Sequence, residues 1–333
     1  MLTCILANGR SLVYPPRMPP PMTDAKSAEV VDDVIDTIRL TSLDGAGGLR
    51  FGGRTTTLSL PFVFGGQLLA QALWAGYQCT PANHRVQALH AHFVEAGDPR
   101  RPLTYTVDPV RRGHGSSVLR VTATQARDGS DGERVILIAS LNLGGDRSGL
   151  DHHTPPVSAF GIDPARLPAL RSWLEHHRDL LPEWWQGPLA FDLRYPEEPP
   201  HVLSPGAAPR VGQQLWMTTH AVVPDEPRLH DCLLAFASDL TLLDAVMLRH
   251  ARSWYDGGAW AASLDHSIWF HRRARVDDWM LYEQASPSAH GGRGLASGEI
   301  YGPGGVHVAT VAQLGVFSID GHRSMPGAAV PRD

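Results

Sequence analysis

The sequence is poor in lysine, cysteine and long apolar runs, and each shortage excludes a class of protein. Lys26 is the only lysine among 333 residues, which leaves no candidate for a Schiff-base or P-loop lysine. The three cysteines, Cys4, Cys79 and Cys232, form no Cys-X-X-Cys pair, which argues against a disulfide scaffold or a zinc–cysteine site. No apolar run is long enough to span a membrane. The net charge of -5 without a basic cluster argues against nucleic-acid binding. We therefore expect a cytoplasmic protein with neither a membrane nor a nucleic-acid partner.

Composition divides the chain into five segments. Residues 1–24 contain PPRMPPPM, which cannot form regular hydrogen-bonded structure, so we expect a disordered lead-in. Residues 25–145 and 211–320 carry helix and strand patterns and are expected to be two α+β domains. Residues 146–210 are rich in proline and glycine and are expected to be a linker, with a helix near LPALRSWLEHHRDLL. Residues 321–333 are expected to be a flexible tail.

Each expected domain contains a helical pattern followed by about four strand patterns. In the first domain, Gly65 and Gly66 precede the helical run QLLAQALWAGYQ, and the strand runs are VQALHAHFV, LTYTVDPV, SSVLRVTATQA and VILIASLNL. In the second domain, LLAFASDLTLLDAV is expected to be one helix. The strand-like runs after it are AASLDHSIWF, DWMLYEQASP, GRGLASGEIYG and VHVATVAQLGVF.

The two domains also match each other as an internal repeat. Two pairs of positions share one offset and a third matches more loosely: Tyr105 with Tyr282, Gly115 with Gly292, and Gln67 with Asp239. A repeat of this length implies a duplicated domain, although two α+β domains sharing a pattern by chance is the alternative. Two units, each with a long helix packed on a curled antiparallel sheet, can join into one continuous sheet. That architecture is a double hotdog.

Asp239 raises the main chemical question, because it lies in the middle of the apolar stretch LLAFASDLTLLDAV. An ionised carboxylate is costly in apolar surroundings, and burial raises its pKa. One interpretation is structural, since Ser-Asp commonly begins a helix and Asp239 would then be an N-cap. The other interpretation is a carboxylate that takes part in a reaction.

Several segments resemble the successive signature segments of the acyl-CoA thioesterase II (TesB-like) family. These segments are FVFGGQLLAQAL, LHAHFVEAGDPRRPLTY, LLAFASDLTLLDAV, SLDHSIWFHRRARVDDWMLYE and GEIYGPGGVHVATVAQLGVF. The similarity covers roughly residues 25–318 in the family's order, and the linker is least similar. The resemblance implies a double hotdog hydrolase that splits fatty acyl-CoA thioesters without a covalent intermediate and without a cofactor or a metal.

The resemblance also implies which residues hold the attacking water. The Asp of the ASDL motif is Asp239, the Ser two residues before DHS is Ser263, and the Gln of the last strand is Gln313. A carboxylate can accept a proton from water, while a hydroxyl and an amide can orient it. The structural alternatives are that Ser263 is a strand hydroxyl satisfied by backbone and that Gln313 faces solvent on an edge strand. Asp265 and His266 are interpreted as a structural pair at a strand end.

Substrate contacts are expected at two further places. Gly65 and Gly66 allow close backbone approach at the start of a helix, whose N–H groups can stabilise a developing oxyanion. His271 and Arg272 are candidates for the phosphates of coenzyme A, with a solvated surface pair as the alternative. If Gln67 occupies the position of Asp239, the first repeat has an amide that cannot act as a base. We then expect one catalytic centre per chain, where the repeats meet, with Gln67 near the substrate.

Other functions fit the sequence less well. No Gly-X-Ser-X-Gly motif is present for a serine hydrolase, and no helical histidine spacing suggests a metal hydrolase. The alternative that remains open is a non-catalytic acyl-CoA-binding hotdog protein, because fold does not imply function. Open sheet edges favour association into a homodimer or a larger homo-oligomer.

Overall fold

The computed structural model describes residues 3–5, 11–13, 25–57, 60–127, 129, 132–156, 162–175, 177, 187–254 and 259–318. Near the start, β1 (Thr3–Ile5) and β2 (Ser11–Val13) pair as an antiparallel two-stranded sheet. The other residues of 1–24, and residues 319–333, lie outside the described part, so the disordered lead-in and the flexible tail stay predictions. No helix within the described ranges has the length and apolar character needed to cross a bilayer.

The first repeat places one long helix against antiparallel strands. Its helices are α1 (Ala25–Ile38) and α2 (Gly65–Gln78), and its strands are β3 (Thr41–Ser42), β4 (Arg50–Gly53), β5 (Arg85–Phe93), β6 (Leu103–Arg112), β7 (Ser116–Ala126) and β8 (Glu133–Gly144). Leucine, alanine and glutamine favour the helical conformation in α2. All residues of α2 from Gly66 to Tyr77 are buried, so this helix is enclosed on every side.

The connection and the second repeat follow with a similar arrangement. The connection contains α3 (Leu170–Leu174) and β9 (Phe191–Arg194). The second repeat contains β10 (Gly212–Thr219), α4 (Pro227–Ser238), α5 (Asp244–Arg249), β11 (Trp260–Ser263), β12 (Asp265–Phe270), β13 (Met280–His290), β14 (Arg293–Tyr301) and β15 (His307–Ser318). β9 was not expected, and it adds a strand from the linker region to the sheet beside β10.

The helix expected over LLAFASDLTLLDAV is wrong in its continuity. Pro227 occupies the first turn of α4, where its missing N–H costs nothing. The helix ends at Ser238, and α5 begins only at Asp244. Asp239 therefore follows a helix rather than lying within one, and its side chain projects from the end of α4.

One continuous antiparallel sheet unites the two repeats, and this confirms the expected double hotdog fold. The strand order is β3-β4-β6-β7-β8-β5-β12-β15-β14-β13-β10-β9, with β11 also paired to β15. The repeats join through β5 and β12. Outward from this join, the order β5-β8-β7-β6-β4 matches β12-β15-β14-β13-β10, so the two halves have the same topology.

Strand pairing fixes which residues of the two repeats are equivalent. Tyr105 and Tyr282 lie at matching positions of β6 and β13, and both are fully buried. From each tyrosine, successive cross-strand partners lead to a phenylalanine on the joining strand: Tyr105–Ala123–Leu137–Phe93 and Tyr282–Ile300–Ala309–Phe270. Gly115 and Gly292 likewise lie in the equivalent turns after β6 and β13. The repeat inferred from these two pairs has a structural basis.

The looser match between Gln67 and Asp239 is wrong. Gln67 lies in the first turn of α2, whereas Asp239 follows the last turn of α4. α2 and α4 pack against each other, and the start of α2 meets the end of α4 at Asp239. The two residues are thus at opposite ends of equivalent helices. The offset of the tyrosine and glycine pairs does not extend to the helices, because 21 residues separate α4 from β11 whereas six separate α2 from β5.

Candidate active site

Asp239 lies at the junction of the two repeats and contacts a helix that is not its own. The backbone N–H of Gly66, in the first turn of α2, donates a hydrogen bond to the Asp239 carboxylate. The residue before α2, Phe64, makes no side-chain capping hydrogen bond. Asp239 thus supplies an acceptor to the N-terminus of a helix in the other repeat, where the helix dipole favours negative charge. The interpretation of Asp239 as the N-cap of a helix that it begins is wrong.

Gly65 and Gly66 permit this approach because they lack side chains. A Cβ atom on Gly65 would lie 2.5 Å from Asp239 Oδ2. A Cβ atom on Gly66 would lie 2.3 Å from the carbonyl oxygen of Phe236 in α4. The sequence predicted close backbone approach to a ligand here, and in the structure the close neighbours are the Asp239 carboxylate and the α4 backbone.

Gln313 joins the three residues that the sequence grouped. Its Nε2 donates to Asp239 Oδ1 at 2.7 Å and to Ser263 Oγ at 2.6 Å, so both amide protons are used. β15 is an interior strand paired with β14 on one side and with β11 and β12 on the other. Gln313 is 1% exposed, which contradicts the alternative of a solvent-facing edge position.

Burial raises the pKa of Asp239 to about 7, and the hydrogen bonds from Gln313 and Gly66 oppose that shift without cancelling it. The carboxyl side chain is 4% exposed. A carboxyl group that titrates near neutrality is a far stronger base than an exposed aspartate, and it is still ionised in a large fraction of molecules at pH 7. The geometry and the pKa together suit proton abstraction from water.

The expected structural pairing of Asp265 with His266 is wrong, because adjacent strand residues point to opposite faces of the sheet. Asp265 Oδ1 accepts the backbone N–H of Leu314 at 2.8 Å and supports the strand. His266 is fully buried and faces the site instead, with Nε2 2.9 Å from Ser238 Oγ and Nδ1 3.7 Å from Asp239 Oδ1. The signal was available in DHSIWF, where alternation places His266 on the same face as the apolar Ile268 and Phe270, which are buried.

Gln67 does not face Asp239. Its Oε1 accepts the Thr56 N–H at 3.2 Å, and its Nε2 donates to the carbonyl of Arg54 and to Gln71 Oε1. Gln67 is fully buried in these contacts and fastens the loop after β4 to α2. The expectation of an acyl-CoA contact at Gln67 has no support in this geometry.

His271 and Arg272 lie on the other side of the sheet from Asp239. His271 Nε2 contacts Thr310 Oγ1 at 2.9 Å, and Thr310 precedes Gln313 by three residues on β15. An odd separation along a strand places two side chains on opposite faces. Arg272 donates to the carbonyl of His307 at 3.1 Å and to the Asp151 carboxylate in the linker. The structure therefore does not bring this pair together with the three site residues.

A second buried carboxylate, Asp244, provides an internal comparison. It lies at the start of α5, and burial raises its pKa to about 7 as well. Its Oδ1 accepts the indole N–H of Trp254 at 2.7 Å, and Gln213 also donates to it. Among the described residues, neither Ser263 nor Gln313 contacts the Asp244 carboxylate through a hydrogen bond. Asp244 thus resembles Asp239 in burial and pKa but not in position.

The fold and the site define a double hotdog protein with a carboxylate, an amide and a hydroxyl at the junction of its repeats. A sequence model described as acyl-CoA thioesterase matches residues 190–316, and one described as acyl-CoA thioesterase N-terminal domain matches residues 54–144. The chain belongs to the acyl-CoA thioesterase family. Both matches agree with the resemblance to thioesterase II.

Individual relatives span most of the chain. Acyl-CoA thioesterase 2 of Haemophilus influenzae is 29% identical over 294 residues, covering 87% of this chain and 98% of its own. Acyl-coenzyme A thioesterase 8 of Homo sapiens is 30% identical, covering 81% and 84%. The crystal structure of acyl-CoA thioesterase II TesB2 from Mycobacterium marinum is 30% identical, with a TM-score of 0.67 and coverage of 86% and 98%.

Proposed function

We propose that this protein hydrolyses fatty acyl-CoA to a free fatty acid and coenzyme A by direct attack of water, with Asp239 as the general base. The observation that carries the proposal is the Gln313 amide, which binds Asp239 and Ser263 at once. A water molecule beside that amide has a base and a hydroxyl within reach. Names of the relatives support the substrate class, because each is called an acyl-CoA or acyl-coenzyme A thioesterase.

The reaction proceeds in two steps, attack of water and cleavage of the C–S bond. Asp239 removes a proton from the water as its oxygen attacks the thioester carbon, and a tetrahedral oxyanion forms. Ser263 accepts a hydrogen bond from Gln313, so its own hydroxyl proton is available to the water or to the substrate oxygen. The C–S bond then breaks, and the proton on Asp239 passes to the departing thiolate. Positioning of the water lowers the entropic part of the barrier.

The start of α2 supports the negative charge of the reaction. The Gly66 N–H is directed to the Asp239 carboxylate, and we propose the Gly65 N–H as a donor to the thioester oxygen. The positive end of the helix dipole favours both the ionised base and the oxyanion. One such site per chain follows, because only one of the two helix junctions carries a carboxylate beside a glycine pair.

The test is thiol release from acyl-CoA substrates of increasing chain length, with Asp239→Asn and Asp244→Asn beside the wild type. Asp239→Asn is expected to lose about a thousandfold or more in kcat, since general-base catalysis contributes about 10²–10⁴. Asp244→Asn is the matched control, because it removes an equally buried carboxylate outside the site. It should keep wild-type kinetics.

An inactive wild type on every chain length would instead support the non-catalytic acyl-CoA-binding alternative. Equal losses in Asp239→Asn and Asp244→Asn would indicate a folding effect and would remove the case for Asp239 as the base. Circular dichroism of both variants distinguishes lost folding from lost chemistry.

Association and location remain part of the proposal. Within the described residues, β3 and β9 are the outermost strands of the large sheet, and such edges favour pairing with another copy. We propose a homo-oligomer, a cytoplasmic location and the division into repeats at residues 25–145 and 211–320, as the sequence suggested. Light scattering of the purified chain tests the first of these, and a monomer at high concentration would contradict it.

A further inference from the structure

His266 is a buried side chain of the site, and the proposed reaction assigns it no role. It is fully buried on β12, next to Ser267, which pairs with Ala312. This register places the His266 ring beside Gln313 on the inner face of the sheet. Its Nδ1 lies 3.7 Å from Asp239 Oδ1, the oxygen that accepts from Gln313.

The contacts of Ser238 determine which nitrogen of the ring carries a proton. Ser238 Oγ lies 2.9 Å from the carbonyl oxygen of Ala235, and a carbonyl can only accept. The single hydroxyl proton is therefore used there, and Ser238 Oγ accepts from His266 Nε2 at 2.9 Å. The ring is then an Nε2–H tautomer whose Nδ1 lone pair is directed into the site. Burial lowers the pKa of His266 to about 3, so the ring is neutral.

Two acceptors in the site lack a donor. In the Nε2–H tautomer, His266 Nδ1 and Gln313 Oε1 are both buried acceptors, and neither has a donor among the described atoms. Gln313 opposes the lowering of the His266 pKa by burial without cancelling it. A buried acceptor without a donor is costly, and the cost disappears when the site gains a proton. Asp239 gains that proton when it deprotonates the water, so the free acceptors match the protonated state of the site.

We infer that His266 is a positioning residue for this reaction: its Nδ1 accepts a hydrogen bond from the carboxylic O–H that Asp239 acquires from the attacking water. The inference rests on the proposed function. The water O–H bond breaks, the O–C bond forms, and the proton stays on Asp239 until the C–S bond breaks and the thiolate takes it. The imidazole remains neutral throughout. Its low basicity prevents it from trapping the proton.

The hydrogen bond has a predictable effect on the titration of Asp239. Among the described residues, the titratable groups that face Asp239 are His266 from β12 and Tyr282 from β13. Burial raises the pKa of Tyr282 well above its ordinary value, so that phenol stays neutral. An acceptor for the Asp239 proton stabilises the protonated form and raises the pKa of the carboxyl group. Loss of the acceptor should therefore shift the acid limb of the kcat profile to lower pH.

Two amide variants separate the ring nitrogens. Gln at position 266 reaches the position of Nε2 and keeps the donor to Ser238, but it places no acceptor at Nδ1. Asn at position 266 places its carboxamide at Nδ1 and cannot reach Ser238. We expect His266→Gln to lower kcat about tenfold, the worth of one hydrogen bond, to shift the acid limb to lower pH, and to leave KM unchanged. His266→Asn should retain the acid limb and more of the rate.

Wild-type kcat and acid limb in His266→Gln would overturn the inference, and so would equal losses in both variants accompanied by a changed KM. Thermal unfolding of both variants checks that each is folded under the assay conditions. Ser238→Ala adds a control, because it frees the ring to adopt the other tautomer and should resemble His266→Gln in its pH profile.

A spectroscopic measurement tests the tautomer without turnover. The ¹⁵N resonances of the His266 ring, assigned by their absence in His266→Asn, should report a neutral Nε2–H tautomer between about pH 5 and 9. An Nδ1–H tautomer would mean that the ring donates to Gln313 Oε1 and would overturn the inference alone. A wild type that releases no thiol overturns the proposed function, whatever the tautomer.

Discussion

The two repeats have the same strands in the same order, yet equivalent positions carry different chemistry. Strand pairing matches the polar residues of the second repeat with apolar residues of the first: Ser263 with Val86, His266 with Leu89, and Gln313 with Leu141. Val86, Leu89 and Leu141 are at most 2% exposed. The sheet therefore accepts either kind of side chain here. The fold alone therefore does not require the polar set.

This comparison identifies the change with the largest expected effect, Gln313→Leu, which gives the second repeat the residue of the first. The variant should fold, because Leu141 occupies the equivalent position. Thiol release should fall about a hundredfold or more, since the water loses its orienting amide. Gln313 lowers the pKa of Asp239, so any remaining activity should show its acid limb above pH 7. For the wild type we expect activity to fall below about pH 7, because protonated Asp239 cannot act as a base.

Leu141→Gln is the reciprocal control for Gln313→Leu. It buries an amide without a partner and should destabilise the protein by about 2 kcal/mol in urea unfolding, with kcat unchanged. Equal losses of kcat in Gln313→Leu and Leu141→Gln would contradict the proposal that only the position in the second repeat serves catalysis.

A smaller effect is expected from Gly65→Ala. The added Cβ would meet Asp239 Oδ2 at 2.5 Å, so the carboxylate must move from its position beside α2. We expect about a thirtyfold loss of kcat, because small displacements of a catalytic group are costly. Gly76→Ala is the control at the other end of the same helix, where the Cβ would meet the side chains of Leu141 at 2.3 Å and Leu119 at 3.5 Å. It should lower the melting temperature and keep kcat.

The smallest expected effect is that of Ser263→Val, which introduces the residue found at position 86 and replaces the hydroxyl with two methyl groups. Loss of one hydroxyl contact should reduce kcat about tenfold, while Asp239 and Gln313 remain bonded to each other. Ser263→Thr keeps the hydroxyl and should stay within about threefold of the wild type. A Thr variant as slow as the Val variant would assign the effect to packing rather than to the hydroxyl.

The sequence predicted the architecture well because hydrophobic alternation and an internal repeat depend on local pattern. It also grouped Asp239, Ser263 and Gln313, through the resemblance to a family rather than through spacing. The sequence-based prediction failed for contacts between residues that are distant in the chain. Asp239 contacts the first turn of α2, which is distant in the chain. No local sequence pattern indicates that a carboxylate following one helix accepts a hydrogen bond from the start of a different helix.

The same limit explains the misplaced substrate contacts. Gln67 looked equivalent to Asp239 by count, but the connection from helix to next strand is longer in the second repeat, so the offset does not extend to the helices. The two residues lie at opposite helix ends. His271 was considered with Arg272 as a contact for the coenzyme A phosphates, because arginine suits bidentate phosphate contacts. Strand alternation directs it to the opposite face from Gln313, and that parity was readable from the β12 and β15 patterns alone.

Hydrogen bonding of Asp239 to Gly66 has a consequence for the way the gene can be divided. Asp239, Ser263 and Gln313 lie in the second repeat, but the N–H donor to the Asp239 carboxylate lies in the first. A polypeptide made of residues 190–318 alone would carry a complete set of reactive side chains and an unanchored carboxylate. For this reason we expect each half to be inactive when expressed alone, and thiol release to depend on mixing the two.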